Sequence, residues 1–322
     1  MRRFLRILIL FLASLAAGAL WAQSYPARPI RFVVPFAPGG PTDILARAVG
    51  QKLTEAFGQT IVIENRGGAG GNIGAELVAR SLADGYTMLM GATSTHAINP
   101  ALYHKLGFDP IKDFAPVSLV ANTPSLLAVH PALPVRTIKD LIALAKARPG
   151  QLSYASAGNG SSNHLAGVLL SMMAGIDMVH VPYKGSGPAL VDVISGQVPM
   201  MFNNTASVMP HVTAGKLRAV ALASLERSAL LPAIPTVAES GLPGFEVRSW
   251  HGVFVPAGTP RDVVNRLSTE IVRAVRAADV KTRLNAQGVE LVGSSPDEFA
   301  EFVKKELVKW AKVVRQSGAR AD

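Results

Sequence analysis

The stretch 30–43, IRFVVPFAPGGPTD, holds the residues best placed to do chemistry. Its run of Val and Phe reads as a buried strand. The run breaks on Pro35, Pro38, Gly39 and Gly40, then passes Thr42 and Asp43 into a segment whose Ile44, Leu45, Ala48, Val49, Leu53 and Phe57 share one helical face. A strand, a tight loop and a helix start put unpaired backbone N–H groups and partial positive charge at one spot, a setting for a carboxylate or another anion. Asp43 could act there as an acid or base, but its position at a helix N-terminus favours an ionised cap. Phe36 could cover a ligand or staple the first helix.

Other chemistry is thinly represented. There is no Gly-x-Ser-x-Gly elbow and no Gly-Lys-Ser/Thr phosphate loop. The 67–74 segment lacks Gly-x-Gly-x-x-Gly spacing, and Gly158-x-Gly160-x-x-Asn163 misses its last position. The seven histidines show neither His-x-His nor His-Glu-x-x-His spacing, so neither a metal nor a cofactor is expected. His164 could be a base, with a capping or packing role favoured. Lys184 could pair with a second ligand carboxylate or simply be exposed, and Trp250 and His251 could line a cleft or fill a core. No catalytic set assembles.

The elements that must position these residues repeat the opening grammar. Strand signals at 60–64, 86–90, 153–156, 178–183 and 198–202 run into loops rich in Gly, Ser, Thr and Asn, and most then enter helical patterns; 217–223 is a further strand. Helices are expected at 137–147, from 186 with Pro188 in its first turn, and from 260 behind a Thr259 cap; Ser295 to Glu298 is a capping box for the last one. Alternating strands and helices imply an α/β fold of mostly parallel sheets flanked by helices. Ligands of such sheets bind outside the carboxyl ends of the strands. Those ends here are 36–43, 91–99, 156–163, 184–187 and 203–205, whose composition suits anion capture by neutral donors.

Composition sets the outer bounds. Arg2, Arg3 and Arg6 precede an apolar core at 7–20, the layout of a secretory signal peptide over 1–22, although Ala17-Gly18-Ala19 is the better-formed cleavage site. The remaining 300 or so residues exceed one small core, so two lobes are expected. Segment 114–135 is uncharged, but Pro116, Pro124, Pro131 and Pro134 rule out a membrane-spanning helix. Formal charge is +10, or +7 without the leader arginines. Lys304, Lys305, Lys309, Lys312 and Arg315 read as the solvated face of a helix rather than a nucleic-acid patch, since no aromatic platform accompanies them. The absence of cysteine excludes disulfides and thiolate chemistry.

Long motifs then mark a resemblance over essentially all of the chain after the leader. They include Tyr25-Pro26-x-Arg28-Pro29-Ile30, Val34-Pro35-Phe36-Ala37-Pro38-Gly39-Gly40-x-x-Asp43, Glu64-Asn65-Arg66-x-Gly68-Ala69-x-Gly71-Asn72-Ile73-Gly74 and Ala83-Asp84-Gly85-Tyr86-Thr87. Val181-Pro182-Tyr183-Lys184-Gly185, 235–241 and Pro256-Ala257-Gly258-Thr259-Pro260 continue the series. The sequence resembles the Bug-type extracytoplasmic solute-binding proteins of tripartite tricarboxylate transporters. The resemblance implies a two-lobe clamshell of the type II periplasmic-binding-protein class, monomeric, with 23–122 and 252–322 in one lobe and 123–251 in the other. It implies that one ligand carboxyl is held by Phe36, Ala37, Pro38, Gly40, Thr42 and Asp43 together with Thr93, Ser94, Thr95 and Asn99. The second lobe would contribute Ser156, Gly158, Gly160, Ser161, Ser162, Tyr183, Lys184, Gly185, Asn203 and Asn204. Pro41 removes one N–H donor from the first loop, and His251 stands where other aromatics are common, so it could tune ligand choice.

The leading expectation is a periplasmic receptor that delivers a small organic acid to membrane permease subunits. Rival readings are a sensor presenting its closed form to a membrane kinase and a secreted hydrolase using Asp43 or His164.

Overall fold

The computed structural model describes residues 25–317; the expected leader, 1–22, lies outside the described residues. The chain opens with β1 (Ile30–Val34), whose inward residues are fully buried, and turns through 35–40 into α1 (Pro41–Phe57). Pro41 suits the first helical position, where an N–H would go unpaired. Gly58, at φ 64°, ends the helix by returning its N–H to the Thr54 carbonyl. β2 (Ile61–Asn65), α2 (Asn72–Ala79) and β3 (Thr87–Ala92) follow. Residues 94–98, read from sequence as part of a polar loop, form a π-helical turn that continues into the short α3 (Asn99–Leu102).

β4 (Phe114–Val129) is the longest strand, and its strength is not evident from a segment carrying Pro116 and Pro124. Pro116 sits where the register slips between Pro116 and Ser118, and Pro124 is the last residue paired to β9, so neither interrupts a regular ladder. Beyond them come α4 (Ile138–Ala147), β5 (Ser153–Ser156), α5 (Ser162–Ala174), β6 (Val179–Pro182), α6 (Ser186–Ile194), β7 (Met200–Asn204), α7 (Thr205–Thr213) and β8 (Arg218–Leu222). β9 (Arg248–Pro256), α8 (Arg261–Arg276), α9 (Ala278–Asn285), β10 (Glu290–Leu291) and α10 (Pro296–Ser317) complete the order. Thr259 does not cap α8. Pro260 occupies that position, and the Thr259 hydroxyl donates to the Pro256 carbonyl instead. The Ser295–Glu298 capping box is present, with reciprocal bonds of 2.9 and 3.3 Å.

Ten strands form one curled sheet, in the order β2-β1-β3-β9-β4-β7-β5-β6 with β8 and β10 also paired to β4. Its two wings, β2-β1-β3 and β7-β5-β6, are parallel, as the repeated units imply. The middle is antiparallel: β9 runs against β3 and β4, and β4 against β7 and β8. β4 is the bridge. Through Pro124 it pairs with β9, and from Ser125 onward with β7 and β8.

Alternation along β9 sorts its side chains. Trp250 is buried against Phe299 and Phe302 of α10, and its indole N–H donates to Glu306 at 2.9 Å. Trp250 is thus a core residue, whereas its neighbours Ser249 and His251 face the opposite way, into the site. Lys304, Lys305, Lys312 and Arg315 of α10 are exposed, as expected for a solvated face. Among the described residues, no helix is long and apolar enough to cross a membrane.

Candidate functional site

Between the wings lies a small cavity of about 30 Å³, room for a water or two as the two sides stand here. Its walls come from strand ends and helix starts. Gly40, Pro41 and Thr42 open α1; Thr93 and Ser94 open the π turn; Ser161, Ser162 and Asn163 open α5; Ser186 opens α6; and Asn204 precedes α7. Phe36, Ala92, Ala157, Ser249 and His251 complete the lining. Four helices of eight residues or more therefore turn their N-terminal ends toward one small space, where backbone N–H groups and partial positive charge concentrate. The lining carries no Lys, Arg, Asp or Glu among the described residues.

The first loop is built to present donors. The first helical bond of α1 runs from Ile44 N–H to the Gly40 carbonyl, which leaves the Thr42 and Asp43 N–H groups without an acceptor among the described residues. Asp43 sits at the third helical position rather than at the cap and does not line the cavity. Its carboxylate accepts from Gly39 N–H at 3.0 Å, Arg47 Nε at 2.9 Å and Asn65 Nδ2 at 3.0 Å, while Asn65 also donates to the Phe36 carbonyl. Burial alone would raise the Asp43 carboxyl, but these donors outweigh it and hold the group below the ordinary carboxylate range. The Asp43 carboxylate thus ties loop 36–40 in place, while its backbone N–H stays open at the start of α1.

In the second loop, Thr93 spends its hydroxyl on β9, accepting from Trp250 N–H at 2.7 Å. Thr95 is turned inward too, bonded to Ala92 and to His96 Nδ1. Asn99 donates to the Gly70 carbonyl and the Asn72 side chain, away from the cavity. That leaves Ser94: its hydroxyl, like those of Thr42 and Ser186, has no partner among the described residues and is reachable from the cavity.

Across the cleft, Ser162 meets Ser249 hydroxyl to hydroxyl at 2.7 Å. Ser161 caps α5 by accepting from His164 N–H, and Asn204 Nδ2 donates to Thr123 at 2.6 Å. Several residues expected in the site instead organise the loops around it. Ser156 bonds Gly158 and His180, Gly160 N–H donates to His164 Nδ1, and Asn203 accepts from Asn163 Nδ2 and Asn204 N–H. His164 stacks on His180 at 4.1 Å in a separate surface groove, where burial lowers it to about 4, so it faces no cavity residue as a base.

Ala37, Pro38 and Gly185 form a seam between the two sides rather than a wall of the cavity. Ala37 N–H donates to the Lys184 carbonyl at 3.2 Å, and Tyr103 donates to the Asn159 carbonyl at 3.1 Å. The Lys184 side chain is exposed on an outer groove that also takes in Tyr183, Gly158 and Phe36. The seam is tight because glycines form it: a Cβ on Gly67 would stand 2.9 Å from the Lys184 carbonyl oxygen, and one on Gly187 would overlap the Pro38 carbonyl. Sequence reasoning did not single out Ser186, Ser249 and Asn163; period-two alternation beside His251 was the available signal for Ser249.

An α/β clamp whose helix starts surround a pocket without charged side chains is the architecture of a periplasmic solute-binding protein. A profile of the tripartite tricarboxylate transporter family receptor matches residues 45–319, and the chain belongs to that family. It is 39% identical to the protein BugT of Bordetella pertussis, with 99% of each chain covered. It is similar to the solved structure of Rpa4515 of R. palustris with adipate, at 39% identity and TM-score 0.89, covering 92% of this chain and 99% of that one. MatC of Rhodopseudomonas palustris with bound malate is similar at 37% identity and TM-score 0.86, covering 90% and 100%.

Proposed function

We propose that this protein captures a small organic carboxylate between two lobes in the periplasm and hands it, as a monomer, to the membrane subunits of a tripartite transporter. The observation that carries the reading is the convergence of helix N-termini on an enclosed pocket without charged side chains. There a carboxylate gains hydrogen bonds to its charge without an ion pair, each contributing roughly 1.5–3 kcal/mol. The open Thr42 and Asp43 N–H groups and the Ser94 and Thr42 hydroxyls form the clamp on the first side; Ser162, Ser186 and Asn204 approach from the second. Relatives solved with adipate and malate support a di-acid or hydroxy-acid ligand. The lobes divide as 23–122 with 252–322 against 123–251. The change of partner within β4 between Pro124 and Ser125 supports a hinge there. Residues 1–22 direct export and are removed.

Calorimetry and melting shifts across di- and tricarboxylates, hydroxy acids, acidic amino acids and aromatic acids test the proposal. Binding of at least one acid, without turnover, is expected; silence across the panel by folded protein contradicts it.

A further inference from the structure

His251 is the one titratable side chain among the described residues lining the cavity. It lies on β9 opposite Ala92 of β3 and Ala121 of β4, and its Nδ1 is 3.2 Å from the Thr123 hydroxyl of β4. Its Nε2 has no partner among the described residues and is reachable from the cavity. A threonine hydroxyl offers one proton and two lone pairs. Around Thr123 stand the Asn204 amide, which donates at 2.6 Å, the Ser249 carbonyl, which can only accept, at 3.4 Å, and His251 Nδ1. One allocation satisfies all three. The hydroxyl proton goes to Ser249, and the lone pairs receive the Asn204 N–H and a proton on His251 Nδ1. The imidazole then shows the cavity an unprotonated Nε2.

We infer that His251 is a specificity-determining residue that meets the ligand's second polar group across one shared proton: a hydroxyl that donates to Nε2, or a second carboxylate that accepts from a proton taken up onto Nε2. The inference rests on the carboxylate reading and deepens it. A fully ionised second carboxylate facing the bare Nε2 would set acceptor against acceptor. Taking one proton from solvent converts that clash into an imidazolium–carboxylate pair. Nothing else near the ring competes for the role. The walls facing it are Gly40 to Thr42 of α1, Thr93 and Ser94, the α5 start, Ser186 and Asn204, all without titratable side chains. Asp43 is committed to Arg47 and loop 36–40, and Glu306 to Trp250 on the other face of β9. Burial keeps the empty-site ring neutral, at about 3.

Two measurements test this. In ligand-free protein, ring ¹⁵N shifts of His251, assigned by loss of its signals in His251→Asn, are expected to show the Nδ1–H tautomer at neutral pH; an Nε2–H tautomer overturns the inference. Calorimetry with adipate and the other hydroxyl-free di-acids of the panel, in buffers of different ionisation heat, is expected to show uptake of close to one proton by any one that binds fully ionised. Its affinity is expected to rise about tenfold per pH unit from pH 8 to 6 and to be flat in His251→Asn. Binding without proton uptake, or equal uptake in the variant, contradicts the role of His251 while leaving carboxylate capture intact. Absence of binding by every acid in the wider panel instead refutes carboxylate capture, and this inference with it.

Discussion

Gly187→Ala isolates closure from folding. Gly187 lies in the first turn of α6 and its φ is not in the left-handed region, so alanine suits the local backbone and favours the helix by up to about 1 kcal/mol. What alanine cannot do is fit the closed seam, because its Cβ would overlap the Pro38 carbonyl, a backbone atom on the opposite side. The two sides must then part by about 1 Å at this point to restore van der Waals separation. That displacement breaks the 3.2 Å bond from Ala37 N–H to the Lys184 carbonyl, at a cost of about 1 kcal/mol. It also weakens one or two ligand contacts from Ser186 and Ser162, for a total near 2–3 kcal/mol, or roughly 30- to 150-fold in Kd. The assay is calorimetry with a carboxylate that binds wild type, beside the melting temperature of ligand-free protein. Weakened binding with an unchanged or slightly raised ligand-free Tm is expected. Wild-type affinity in Gly187→Ala would refute the claim that closure runs through this seam.

Thr42→Val and Ser94→Ala each remove a hydroxyl aimed at the carboxylate and should weaken binding by about 10- to 100-fold in calorimetry, with Tm nearly unchanged. Asp43→Asn should loosen loop 36–40 and cost about 1–2 kcal/mol in chemical denaturation at neutral pH. Because the folded carboxyl sits below its unfolded value, that stabilisation is present above about pH 4 and fades as pH falls through the folded value, so wild type and variant should converge in acid. His96 is fully buried, stacked on Phe254 at 3.8 Å, with Nε2 unpartnered, and burial lowers it to about 3. The unfolded chain takes up its proton below about pH 6.5 and the folded chain does not, so this site alone costs about 2 kcal/mol at pH 5. His96→Phe, packed among Phe108, Phe114 and Phe254, should recover most of that loss at pH 5 and little at pH 7.5; an equal effect at both pH values would contradict it.

Local signals carried most of the elements. Val and Phe runs, glycine breaks and the Ser295 box mark strands and helices whose bounds the structure moves by a residue or two, because each is decided by nearby backbone chemistry. β4 was not legible, since its prolines are harmless only at a register slip and at the end of its pairing with β9, both properties of the partner strands. The antiparallel middle of the sheet is equally non-local. For the site, the loops were legible and the individual contacts were not. The Asp43 carboxylate and the side chains of Thr95, Ser156 and Asn203 have the right chemistry for a ligand, yet each finds a partner within the chain, and the Asn99 amide donates to Gly70 and Asn72. Ser249 enters from β9, where alternation sets it on the same face as His251 but only the fold shows that this face turns inward.

A crystal structure of the protein with a bound carboxylate tests the central claim most directly. The account predicts carboxylate oxygens within hydrogen-bond distance of the Thr42 and Asp43 N–H groups and the Ser94 hydroxyl, with no cationic side chain or metal in contact. A ligand paired with Lys184 or an arginine, or seated in another groove, would contradict it.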